Sequence, residues 1–175
     1  MAVLLAFGIA ILVPAAVRGA DIPIVAVGAF QKWRLSDEHQ YGYEVDLWQQ
    51  GDRVFGLLLV GDGPAGDTPA GMLEDVEFDS HSGRLSFSAR LTTGLHYCRE
   101  HDGVPSRDVF RFSGVLSKRD LAGRFQHSEA LHPAEAPRTE HVALRRSARD
   151  LTVPASYAEW KADADRTLKR RGPRW

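Results

Sequence analysis

The residues in this sequence that come closest to a chemical site are possible metal ligands near its middle. His96, Cys98 and His101 offer the imidazole and thiolate groups that Zn²⁺ prefers, and Asp102 stands beside them. In a strand, alternation would place His96 and Cys98 on one face, with His101 beyond the strand end. No second cluster with ligand spacing completes a tetrahedral set. We therefore predict no metal or other cofactor, and interpret the segment as a polar strand end with a half-buried thiol.

A glycine-rich string from Gly61 to Gly66 matches the pattern G-x-G-x-x-G and follows an apolar run. A nucleotide site of that type needs a helix that begins at the glycines, because the first amides of the helix bind the phosphates. The residues that follow, Thr68-Pro69-Ala70-Gly71, cannot supply such a helix. We interpret 61–71 as a loop at the mouth of the domain. The sequence also lacks a nucleophile elbow, a P-loop and a zincin helix, so we name no catalytic residue.

A candidate binding cavity emerges from residues that share one face of the predicted strands. The set comprises six aromatic residues, two facing glycines and one acid: Trp33, Tyr43, Phe87, Phe110, Phe112, Phe125, Gly114, Gly123 and Glu74. At the glycines, either the backbone bends sharply or a bulky side chain or a ligand approaches closely. Glu74 shares the row of Val76 and Phe78, so it either points inward, where a carboxylate needs a partner, or lies at a solvated rim. The aromatic row forms either a ligand pocket or a plain core.

The elements that would position these residues are β-strands, because apolar residues recur with a period of two from Val27 to Arg146. The clearest hairpin runs from Asp108 to His127. When residues 117–120 form its loop, three pairs face each other: Leu116 and Leu121, Gly114 and Gly123, Phe112 and Phe125. Every apolar pair then lies on one face, as a half-buried antiparallel ladder requires.

The number of strands predicts the fold class. About eight strands with short connections suit an all-β fold, an antiparallel up-and-down barrel; the alternative is an open two-layer sandwich. Consecutive hairpins need no long crossing, which favours closure. Ser156 begins the one helical segment, a C-terminal amphipathic helix that continues to Arg171. Its apolar stripe should lie against the outside of the barrel and consists of Tyr157, Trp160, Ala164 and Leu168.

The first residues predict export. Ala2 to Val17 is an unbroken apolar run that resembles the central region of a secretory signal, with cleavage after Gly19; the alternative is an uncleaved membrane anchor. We expect a signal peptide at 1–19, a barrel domain at 20–150, and a helix with a basic tail at 151–175. The mature protein would be secreted or periplasmic, without stable membrane insertion. Cys98 is the only cysteine, so the domain must be held together by its core, and the net charge of −1 argues against nucleic-acid binding.

A leader, a closed meander of about eight strands and a trailing helix are together similar to the calycin group, and especially to lipocalins. Gly28-Ala29-Phe30 stands in the first strand, where lipocalins carry Gly-x-Trp. Arg145 or Arg146 ends the last strand, where lipocalins place an arginine across that aromatic residue. The Thr-Asp-Tyr turn and the disulfides common in that family have no counterpart here. The resemblance implies an architecture, and the identity of a ligand does not carry over.

These patterns lead to a functional prediction with two alternatives. We predict a non-enzymatic exported barrel that binds a small apolar or amphipathic molecule in its interior or mouth. The first alternative is an interaction protein or inhibitor that presents its loops or basic helix to another envelope protein. The second is an enzyme of lipocalin-like fold, which a cavity with two or more facing titratable groups would favour.

Overall fold

The computed structural model describes residues 22–64, 66, 68–96 and 104–170. Within these ranges the chain forms ten strands and one helix. In chain order they are β1 (Ile24–Ser36), β2 (His39–Gln50), β3 (Arg53–Pro64), β4 (Ala70–Asp79), β5 (Arg84–Arg90), β6 (Leu95–His96), β7 (Val104–Pro105), β8 (Val109–Leu116), β9 (Asp120–Ser128), β10 (Arg138–Arg146) and α1 (Tyr157–Arg170). The expected signal peptide, Cys98 and His101 lie outside the described residues.

Eight of the strands close into an antiparallel barrel in the order β1-β10-β9-β8-β5-β4-β3-β2. The predicted fold class, a barrel followed by a C-terminal helix, is therefore confirmed, and the open sandwich is wrong. Closure leaves the wall without a full-length free edge. The two remaining strands, β6 and β7, form a small ribbon in the connection between β5 and β8.

The β8–β9 hairpin has the predicted register. Gly114 pairs with Gly123, and Phe112 pairs with Phe125. Both aromatic rings are buried in the core inside the barrel, which also contains Phe30, Leu58 and Leu121. The alternation of the hairpin thus sets one wall of the core, as the sequence pattern indicated.

The glycine-rich segment 61–71, predicted to be a loop, belongs in part to β3. Residues 61–64 continue β3 and pair with residues 39–42 of β2, so the loop is confined to the stretch between Pro64 and Ala70. Pairing along its full length satisfies the backbone of β3 and makes β2–β3 a long ribbon at one end of the barrel.

Strand β4 contains an irregularity that moves Glu74 to the outside. The β4–β5 register shifts between Glu74 and Glu77, and Asp75 has a positive φ of 50°. An extra residue in one strand reverses which side chains face the core. Leu73 therefore packs inside the barrel, whereas Glu74 lies exposed, opposite Ser88 on the outer face. Of the two positions left open for Glu74, the inward one is therefore excluded.

The helix packs on the outside of the barrel around a second apolar cluster. Trp160 and Ala164 of α1 are buried there against Trp48 and Phe55 of the wall, and the rings of Phe55 and Trp160 lie 4.6 Å apart. Ser156 caps the helix, because its Oγ accepts a hydrogen bond from the Glu159 amide at 3.1 Å. Among the described residues, no helix is long and apolar enough to cross a membrane.

Candidate ligand site at the barrel mouth

One end of the barrel opens into a cavity of about 530 Å³. Strand β1 pairs with β10 at two positions, Phe30 with Arg146 and Gln31 with Arg145, and the described residues of β1 beyond Gln31 form no further pair with β10. The inward-facing residues that line the cavity, called the mouth below, are Lys32, Arg34, Tyr41, Tyr43, Val60, Asp62, Phe110, Phe125, His127, Arg138 and Glu140. A cavity of this size is in the range of small-molecule sites.

The floor of the mouth is aromatic. Tyr43 lies 4.8 Å from Phe125 and 6.0 Å from Phe110, measured between ring centroids. Phe110 and Phe125 meet edge to face and are almost completely buried. Below them lies the apolar core of the barrel, which includes Phe30, Leu47 and Leu58.

The space that the facing glycines leave on the inner wall is filled by a side chain of the barrel itself. The ring of Phe112 covers both glycines, because a Cβ at Gly114 or Gly123 would lie 2.6 or 2.9 Å from its Cζ. Phe112 also stacks on Phe87, with 5.1 Å between centroids. Of the two possibilities left open at these glycines, the close approach of a bulky side chain is the one observed, and it leaves no room for a ligand there.

Charged groups form the rim of the mouth, and several are already paired. The Tyr43 hydroxyl donates to Glu140 Oε2 at 2.8 Å and so connects β2 with β10 across the opening. Burial and, to a smaller extent, the carboxylate of Glu140 raise the pKa of Tyr43 well above its usual range, so the hydroxyl keeps its proton. Arg138 pairs with Glu129 at 2.8 Å.

A histidine–carboxylate pair stands beside the floor. His127 Nε2 lies 2.7 Å from Asp108 Oδ2, and the His127 ring stacks on Phe110 at 4.3 Å. Asp108 is buried and also accepts a hydrogen bond from the Ala130 amide at 2.8 Å. The sequence analysis missed this pair, although extending the hairpin register places His127 opposite Phe110, in the row of Phe125.

Trp33 lies on the other side of the wall. Phe30 points into the core, so alternation along β1 turns Lys32 and Arg34 inward and Trp33 outward. The Trp33 indole covers Gly61 and donates from Nε1 to Glu44 Oε2 at 3.1 Å. Trp33 borders the cavity, but its indole lies on the outer side of the wall and not in the interior. Of the other aromatic residues, the mouth brings together Tyr43, Phe110 and Phe125, while Phe87 and Phe112 belong to the packed core.

The three residues considered above as metal ligands cannot be placed as a group. Cys98, His101 and the side chain of His96 lie outside the described part of the chain. Among the residues that are described, no group of three or more His, Cys, Asp or Glu side chains is arranged to hold a metal ion.

The apolar face of α1 is covered by the barrel, so a partner of the helix would meet its exposed polar side. Trp160 and Ala164 are buried, whereas Lys161, Asp163 and Arg166 are exposed. Lys161 and Arg166 are engaged by Asp165 and Asp163 within the helix.

The fold and the mouth define the class of this protein as an eight-stranded antiparallel barrel with a C-terminal helix, an architecture compatible with the calycins. In comparisons with known proteins, no family model, no curated protein and no solved structure matches the chain.

Proposed function

We propose that the protein is an exported, lipocalin-like barrel that binds a small apolar or amphipathic molecule at its mouth. The observation that carries this proposal is the cavity of about 530 Å³, with its aromatic floor and its charged rim. An apolar body can displace water from the rings of Tyr43, Phe110 and Phe125, and a polar group can remain at the rim.

The position of the mouth supports binding rather than a purely structural role. The floor of the mouth is continuous with the buried core, because Phe110 and Phe125 belong to both. Lys32 and Arg34 face inward at the rim, where they keep the opening polar and hydrated until a ligand enters.

The likeness to lipocalins rests on one further contact. The Arg146 guanidinium lies 5.6 Å from the centre of the Phe30 ring, so Arg146, rather than Arg145, occupies the place of the arginine that the resemblance implies.

Export of the protein is proposed from its leader sequence. Mass spectrometry of the protein made in its own host would test it, and a mature chain that begins at residue 20 is expected.

Native mass spectrometry of the same sample is the test of the binding function. We expect a copurified small molecule, and binding of the neutral probe N-phenylnaphthylamine to the emptied protein. Glu140→Trp places a large ring in the mouth and should weaken that binding at least tenfold. His141→Trp, at an exposed position on the outer face of the same strand, is the matched control. A protein that retains no molecule and binds no apolar probe, or whose binding survives Glu140→Trp, would overturn the proposal.

A second candidate, an acid–base enzyme at the same cavity, is favoured by the pair of His127 with Asp108. A buried carboxylate can hold an imidazole in one orientation for proton transfer. Prolonged incubation of the protein with its recovered ligand separates the two functions: a ligand returned unchanged supports binding alone. Conversion that His127→Gln abolishes, while binding remains, would establish the enzyme.

A further inference from the structure

We propose that the mouth selects amphiphiles that carry an anionic group, and that Lys32 and Arg34 on β1 hold this group while the aromatic floor holds the apolar body. This inference rests on the proposed function, since it assigns the ligand class of the same cavity.

The first argument is the inventory of charges at the rim. Glu140 accepts the Tyr43 hydroxyl, and Arg138 is paired with Glu129. Among the residues that the structure describes, Lys32, Arg34 and Asp62 form no ion pair. Glu140 keeps its charge, because the hydroxyl that it accepts is neutral. Two cations and two carboxylates of the mouth therefore balance in number, and a preference for anions depends on where the two signs lie.

The second argument is the position of the two cations. Lys32 and Arg34 are two residues apart on one strand and face the same side, so their Cα atoms are separated by about 7 Å. One carboxylate, sulfonate or phosphate group between the two side chains can contact both. Arg34 is already oriented by Tyr41, because its guanidinium lies 5.2 Å from the centre of that ring.

The third argument is the position of the two carboxylates, which lie on other strands than this pair: Glu140 on β10, where it accepts the Tyr43 hydroxyl, and Asp62 on β3. In the sheet, Arg34 is opposite Tyr41, and Tyr41 is opposite Asp62. Asp62 therefore lies two strands away from Arg34, about 10 Å across the wall. An anion held by Lys32 and Arg34 does not need to approach Asp62. The residue opposite Lys32 is Tyr43, whose ring contacts Phe125 in the aromatic floor.

The test uses three naphthalene probes with the same apolar body and different charge. Isothermal titration calorimetry at low salt should give a naphthalene sulfonate affinity about tenfold higher than that of neutral naphthylmethanol, and naphthylmethylammonium should bind weakest. Equal affinities for the sulfonate and the alcohol, or tighter binding of the ammonium, would overturn the inference and leave the proposed function standing. If none of the three binds, the proposed function itself fails.

Variants assign the preference to the named residues. In Lys32→Gln/Arg34→Gln, the sulfonate should lose its roughly tenfold advantage while naphthylmethanol binds within about twofold of wild type. Asp62→Asn should strengthen sulfonate binding. Lys118→Gln/Arg119→Gln, in the exposed β8–β9 turn at the opposite end, is the control and should change nothing. A preference that survives the first double substitution, or that the control removes, would contradict the assignment.

An anionic group can belong to a free amphiphile or to a lipid in a bilayer, and the structure favours the free molecule because the cations face into a cavity. Flotation with vesicles of phosphatidylcholine and phosphatidylglycerol distinguishes the sources. We expect no co-flotation. Co-flotation that depends on Lys32 and Arg34 would overturn the assignment to a free amphiphile.

Discussion

Arg146 lies over the ring of Phe30, with its guanidinium carbon 5.6 Å from the ring centre, and donates from Nη2 to the backbone oxygen of Val27. This contact joins the end of β10 to the beginning of the barrel. The backbones of β1 and β10 pair at only two positions. The Arg146 side chain therefore supplies part of the contact between these strands, which in the rest of the barrel comes from backbone pairing.

Substitution of this arginine should loosen the barrel. Arg146→Ala removes a charge-assisted hydrogen bond and a cation–π contact, and we expect the free energy of unfolding to fall by about 2 kcal/mol. Arg145→Ala is the matched control, because Arg145 forms an exposed pair with Asp120 that is worth under about 1 kcal/mol. Urea denaturation measures both. Equal losses in the two variants would show that the contact with Phe30 does not close the barrel.

The docked helix should contribute strongly to stability. Trp160→Ala empties a buried position against Phe55 and Trp48, and we expect a loss of about 3 to 4 kcal/mol. Lys161→Ala, on the exposed face of the same helix, should change the free energy of unfolding by under about 0.5 kcal/mol. A similar small effect from both substitutions would mean that the helix does not pack on the wall.

The facing glycines should not tolerate a side chain. A Cβ at Gly123 would lie 2.4 Å from the Ser113 carbonyl oxygen and 2.6 Å from the Gly114 Cα, atoms that cannot move without breaking the ladder. Gly123→Ala should therefore cost about 2 kcal/mol, in the range of overpacked cores. Ala122→Ser, which faces solvent on the same strand, is the control. A Gly123→Ala protein as stable as wild type would show that the strands do not approach so closely.

A surface turn should give part of the stability a dependence on pH. The Ser82 hydroxyl, followed by the His81 amide, donates to Asp79, which lowers the pKa of Asp79 below its usual 3.8. The ionised carboxylate is favoured in the folded state, so its contribution is present above the unfolded pKa and disappears as pH falls through the folded pKa. Asp79→Asn should destabilise the protein near pH 7 and lose this effect near pH 2. A difference between variant and wild type that does not shrink with acid would contradict the assignment.

The parts of the fold that the sequence predicted well are those set by local pairing. In β8–β9, aromatic residues and glycines occur at matching distances from a four-residue turn, so one register satisfies all of them. The helix was equally predictable, because its cap and its apolar stripe are both local signals.

The errors have three different physical origins. Along β1, the usual rule that charged side chains face water would turn Lys32 and Arg34 outward and Trp33 inward, yet the open mouth gives water access to the inner face. In β4, the register shift occurs at Asp75, and a non-glycine residue with positive φ leaves no clear mark in the sequence. The pair of Asp108 and His127 depends on contact between different strands, which single-strand alternation does not reveal.

The central claim is that the barrel binds its ligand at the mouth, and backbone NMR of the protein titrated with N-phenylnaphthylamine tests it most directly. We predict shift changes confined to residues around Tyr43, Phe110, Phe125 and His127, with slow or intermediate exchange. Trp160, in the cluster between the helix and the outer wall, should report the probe only weakly. Changes centred on Trp160 and Arg149, or no saturable changes at all, would contradict the claim.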